Sequence, residues 1–206
     1  MPTRPSVQVT HRQFTAQTDR LRALVPPMRA LAPEYRVLIA EMITLQAFYF
    51  FELAIEDIAA KLICGARYGD GVTPAITNGA QSIEDALNNM RTVGRRKIKG
   101  ILKWNKAKEI NGNVRHIMAS TESFCTVCRN HSARLNEIRI VRNHIAHGNQ
   151  GTRNEFSRVV QRRLGALPQR LPRAGAFVLR EPTPGTPLVI EYVVTLGVIV
   201  KDAAKL

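Results

Sequence analysis

EYRVLIAEMITLQAFYFFELAIEDIAAKLIC, residues 34–64, contains neither proline nor glycine and lies between Pro33 and Gly65. Its apolar positions Leu38, Met42, Leu45, Phe48, Phe51, Ile55, Ile58 and Leu62 step by three and four, the spacing of one face of an α-helix. A helix this long needs other helices against its apolar stripe, so the run reads as the backbone of a bundle. The fold class expected is all-α.

Outward from that helix, the same signals recur. A flexible arm, 1–11, precedes a helical stretch from Arg12 to Val25 that stops at Pro26-Pro27. On the other side, Gly65, Gly69, Asp70, Gly71 and Pro74 make a loop. Ser82, with Glu84 and Asp85 behind it, is an N-cap with an acidic first turn, opening a short helix to Arg91. Gly94 and Gly100 break the region that follows. Thr121 to His147 is again free of Gly and Pro, and Gly148 is its stop. Gly151 to Leu164 reads as a shorter helix. The segment 165–187 is a Pro-rich loop holding Pro168, Pro172, Pro182, Pro184 and Pro187, with a short strand at Phe177 to Arg180 or a hairpin near 176–190. In the terminal stretch 188–206, β-branched residues favour strand while length and the ending Lys-Asp-Ala-Ala-Lys-Leu favour helix; it is read as a helix. The expectation is one helical domain, 1–206, of four to six helices.

Composition bounds what such a bundle does. The chain has 206 residues and 45% apolar content, enough for a sizeable core and against intrinsic disorder. The longest uncharged apolar stretches, Met42 to Phe51 and Tyr192 to Val200, are about half the ~20 residues of a bilayer span. Arg4, His11 and Arg12 interrupt the N-terminus, so no secretory signal is expected. Three cysteines, Cys64, Cys125 and Cys128, are too few and odd in number for a disulfide framework, which suits the cytoplasm.

Thirty basic residues against 16 acidic give +14, a balance that favours a polyanionic partner. The surplus is uneven. Residues 33–86 carry three basic and eight acidic groups, whereas 91–142 carry 13 basic and three acidic, a local charge of +10. Arg95, Arg96, Lys97, Lys99, Lys103, Lys106 and Lys108 lead that stretch. They are either a solvated face or a contact for an RNA or DNA backbone, and Trp104 among them is either a base-stacking platform or core.

On the run from Thr121 to His147, the stripe Phe124, Cys128, His131, Leu135, Ile138, Arg142, Ile145 contains one misfit. A guanidinium on a core face is costly unless paired, and otherwise it snorkels to solvent. Asn143, His144 and His147 crowd the same helix end. The string Arg142-Asn143-His144-Ile145-Ala146-His147-Gly148 resembles the R-x4-6-H signature of the HEPN superfamily, with Arg142, Asn143 and His147 on the motif's three positions. Tyr35-Arg36-Val37-Leu38 leading to Phe48-Tyr49-Phe50-Phe51-Glu52 is similar to the aromatic-Glu helix of its RiboL-PSP branch.

That resemblance implies a HEPN-like helical bundle that forms a homodimer and acts as a metal-independent endoribonuclease of toxin or antiviral type, without cofactor. It implies RNA as partner and a cognate antitoxin as regulator. Arg142, His147 and Asn143 would be catalytic, with His144 and Glu52 supporting and Arg95, Arg96, Lys97, Lys99, Lys103 and Lys106 binding RNA. Some HEPN toxins carry a tyrosine two residues after the histidine for control by adenylation, and Asn149 stands there in this chain.

The residue types suit the chemistry. Attack by the RNA 2′-hydroxyl needs a base, a proton donor for the leaving 5′-oxygen, and positive charge on the phosphorane. An imidazole titrating near neutrality serves as base or acid, a guanidinium holds two phosphate oxygens, and an amide orients the histidine or binds phosphate. Five helical residues turn a side chain by about 140°, so Arg142 and His147 share no face of a regular helix. They converge only where the helix ends or distorts, or where a second subunit supplies one of them.

Cys125-x2-Cys128 with His144-x2-His147 mimics a zinc spacing, but one continuous helix would hold the pairs about 24 Å apart, so no metal site is expected. Two other readings stand beside the ribonuclease: a HEPN-like domain that binds RNA or nucleotide without cutting it, and a basic helical module for protein interaction.

Overall fold

The computed structural model describes residues 5–166 and 168–206. Its helices are α1 (Val7–Ala23), α2 (Val25–Met28), α3 (Pro33–Ile63), α4 (Ile83–Thr92), α5 (Ala107–Val114), α6 (Ser123–Asn130), α7 (Ser132–His147), α8 (Gln150–Leu164), α9 (Ala174–Val178) and α10 (Leu188–Ala204). The fold is all-α; among the described residues only two isolated β-bridges occur, Ile76 with Met118 and Thr183 with Thr186. The chain forms two compact units. The first comprises the chain up to Thr15, Phe51–Leu135 and Gly197–Leu206, and the second Ala16–Phe50 and Asn136–Leu196.

In the first unit the core is built on the C-terminal half of α3. Phe51, Ile55, Ile58 and Leu62 are fully buried, as are Met90, Ile110, Val114 and Phe124. Ser82 caps α4 by accepting the Asp85 N–H at 3.1 Å. The Tyr68 hydroxyl donates to Glu122 at 2.9 Å and accepts the Phe124 N–H at 3.3 Å, which ties α6 to the loop after α3.

In the second unit Ile43, Phe48, Ile138, Val141, Phe156, Phe177, Val189 and Leu196 make the core. A polar cluster lies within it. Arg163 donates to Glu137 at 2.8 Å and to Glu191 at 2.9 Å, and the Tyr192 hydroxyl donates to Glu137 at 3.0 Å. Glu137 is only 6% exposed, and these partners offset its burial. Helix α9 approaches α3 through Gly175, whose N–H donates to Glu41 Oε1 at 3.0 Å. A Cβ at Gly175 would lie 2.4 Å from the Val37 carbonyl oxygen, so this contact requires glycine.

Several expectations are corrected. The run Thr121–His147 is two helices, parted at His131, which leaves helical geometry (φ −90°, ψ 8°) while its Nε2 lies 3.2 Å from Asp202. The arm 1–11 is helical from Val7 onward, and Met1 to Arg4 lie outside the described residues. The first helix does end ahead of Pro26-Pro27, at Ala23, and the two prolines sit in the first turn of a separate helix, α2, where the missing N–H costs little. The strand or hairpin near 176–190 is α9 followed by a turn, and Leu167 of the Pro-rich segment lies outside the described residues. The helix count exceeds four to six because α2, α5, α6 and α9 are short additions. Helix α3 is long and apolar enough to cross a bilayer when Glu41 and Glu52 are tolerated, which uninterrupted stretches did not reveal, and 44% of its most apolar window is buried inside the fold.

Candidate active site

Arg142, Asn143, His144 and His147 occupy the last turns of α7, in the second unit. The Arg142 guanidinium carbon lies 5.7 Å from the centre of the Phe48 ring on α3, an aromatic face that attracts a cation. Its Nη1 donates to Asn143 Oδ1 at 3.1 Å, so two of the motif residues meet directly.

α7 stays helical through His147, and the Gly148 N–H donates to the His144 carbonyl at 3.0 Å. Gly148 then adopts φ +57°, the left-handed turn that glycine allows at a helix end. Because the distortion follows His147, the 140° divergence from Arg142 persists. His147 is exposed, and helical geometry places it about 40° from Asn143 and about 60° from His144.

His144 is the better defined imidazole. Its ring stacks on Phe156 at 4.6 Å and 18°, and Phe156 meets Phe177 edge-on at 5.4 Å. His144 Nδ1 lies 3.4 Å from the Thr152 hydroxyl, which itself donates to the Asn149 carbonyl at 3.0 Å. With the hydroxyl proton engaged there, the geometry suits Nδ1 as donor to the hydroxyl oxygen. Partial burial, and then the charge of Arg153, lower the His144 pKa, partly offset by Glu41, so the ring is neutral near pH 7. His144, Gly148, Arg153, Arg170, Leu171, Pro172 and Arg173 line a cleft of about 280 Å³. Sequence reasoning gave His144 only a supporting role and missed Arg153, Arg170 and Arg173. Their separation in sequence left the overall surplus as the one available signal.

Asn149, two residues after His147, caps α8 by accepting the Thr152 N–H at 3.0 Å. Glu52 is half-buried and belongs to the first unit. So do the six basic residues expected to bind RNA, and three of them serve the fold itself. Arg95 donates to the carbonyls of Met90, Gly112 and Asn113. Lys99 donates to Asn113 at 2.6 Å and pairs with Glu109, and Lys106 also pairs with Glu109. Arg96, Lys97 and Lys103 remain exposed. Trp104 is buried and its Nε1 donates to Glu56, which makes it core and not a stacking platform.

Cys125 and Cys128 are buried, and desolvation pushes their pKa values up to about 11 and about 12. Both are therefore protonated thiols near neutrality, a form of low nucleophilicity. Among the described residues no three His, Cys, Asp or Glu side chains group to hold a metal ion.

The chain matches no protein-family model, no curated protein and no solved structure.

Proposed function

We propose that the protein is a HEPN-type endoribonuclease that cleaves RNA by attack of its own 2′-hydroxyl, leaving a 2′,3′-cyclic phosphate and a 5′-hydroxyl. The observation that carries this reading is the end of α7, where Arg142 and Asn143 are hydrogen-bonded and His147 is presented to solvent. In the proposed step His147 takes the 2′-hydroxyl proton as the 2′-oxygen bonds to phosphorus and the bond to the 5′-oxygen breaks. A second imidazole returns a proton to that oxygen, and Arg142 holds the charge on the equatorial oxygens.

The divergence of Arg142 and His147 within one chain makes a second copy part of this proposal. On α3, Tyr35, Leu38, Met42 and Tyr49 form an apolar stripe, exposed by 62%, 60%, 41% and 51%. Steps of three, four and seven residues put them on one helical face, and a homodimer formed there would cover it. A cognate antitoxin would act by a route other than adenylation, since Asn149 has no phenol.

The test is cleavage of single-stranded RNA by wild type and by His147→Ala. Loss of at least a hundredfold in the variant supports the reading, and equal rates or no cleavage by either overturn it. The non-catalytic alternative draws on the same divergence, and RNA bound but left intact by wild type is its signature.

A further inference from the structure

We infer that the cleft between the end of α7, the start of α8 and residues 170–173 is a binding site for a terminal phosphomonoester, as borne by a mononucleotide or an RNA end. The charged side chains that line it are Arg153, Arg170 and Arg173, and no carboxylate does. None of the three pairs with a carboxylate among the described residues. Glu41, the acidic group whose charge reaches His144, is engaged with the Gly175 N–H.

One of these arginines stands where the fold disfavours it. Arg153 lies in the opening turns of α8, whose first turn has no acidic residue. Cations at helix starts oppose the helix dipole, and three guanidinium groups around one small cleft repel one another. An anion would relieve both costs. Three fixed positive charges suit a phosphomonoester, with a charge of about −1.5 to −2 near neutrality, better than an internal phosphodiester with one. Planar guanidinium groups also match phosphate oxygens two at a time.

The rest of the cleft fits what a phosphate is attached to. Leu171 and Pro172 give it an apolar wall, and His144 lines it as well. About 280 Å³ is at the small end for ligand pockets, on the scale of a nucleotide and not of a duplex. His147 lies about 60° around α7 from His144, so an RNA end held here would lie beside the proposed cleavage residues. Binding does not depend on cleavage.

The test uses the full chain and four probes: inorganic phosphate, 5′-AMP, and one short oligoribonucleotide with and without a 5′-phosphate. Thermal melting reads the small anions and fluorescence anisotropy the oligonucleotides. Wild type should gain melting temperature with phosphate or 5′-AMP, and bind the 5′-phosphorylated oligonucleotide about tenfold or more tightly than its 5′-hydroxyl counterpart. A preference for 5′-AMP with no discrimination between the oligonucleotides assigns the site to free nucleotides; discrimination assigns it to RNA ends. Arg153→Ala and Arg173→Ala should each remove the preference, while Arg158→Ala, outside the cleft, keeps it. Because the variants remove repulsion, their melting temperatures without ligand should be no lower than that of wild type, which separates lost binding from lost folding. His147→Ala should lose cleavage yet keep phosphate binding, so failure of either proposal is seen separately. No phosphate effect on melting together with equal binding of the two oligonucleotides overturns the inference.

Discussion

His144 and His147 stand three residues apart yet have different surroundings. His144 is packed on Phe156 beside Arg153, and its pKa is lowered from its ordinary value of 6.5. The same direction holds for His11 in the first unit, through burial and then Lys201. A histidine whose pKa is lower in the folded state contributes stability above its unfolded value, and that contribution is lost as pH falls from there through the lowered folded value. NMR titration should therefore find His144 below 6.5, and Arg153→Ala should raise it by removing a neighbouring charge. A wild-type His144 titrating above 6.5 would contradict the geometry. The contrast was not legible from sequence, where the histidines differ only by position. Arg142 was legible as an anomaly because one cation interrupts an apolar stripe; the Phe48 ring that receives it was not.

At the level of elements, the loop bearing Arg170 and Arg173 is anchored by the contact of α9 with α3. Gly175→Ala would drive a methyl into the Val37 carbonyl and the Glu41 side chain, overpacking that costs about 1–3 kcal/mol. Chemical denaturation should show that loss, and phosphate affinity should fall with it as the loop shifts. Unchanged stability would mean that the contact gives way freely. The Glu137 cluster is the stronger tie. Arg163→Ala would leave the buried Glu137 with only the Tyr192 hydroxyl among its described partners, a loss of about 3–5 kcal/mol. Helices α3 and α4 were readable to within a residue or two because their caps and periodicity are local signals. The break at His131 was not, since neither Gly nor Pro marks it and it coincides with the approach to Asp202.

For the molecule as a whole, both units are cationic. The first carries 17 basic and nine acidic residues and the second 13 and seven, or +8 and +6. The surplus is therefore not confined to 91–142, where Arg95, Lys99 and Lys106 are engaged in tertiary contacts. If RNA is the partner, binding should weaken steeply with salt, as it does when cations displace counterions from phosphates; a flat dependence would favour protein docking. Light scattering should find a dimer, and Leu38→Asp should yield a folded monomer that no longer cleaves RNA. A wild-type monomer with full activity would refute the shared site. Sequence by itself determined the helical class, the long α3, the α4 cap and the place of Arg142 to His147 at a helix end, because periodicity, capping and stop signals act over a few neighbouring residues. Only the tertiary structure decided which basic residues stay exposed, that Trp104 is core, and that Arg153, Arg170 and Arg173 share a cleft with His144. Those outcomes depend on which distant segments come within a few ångströms, which no local pattern encodes.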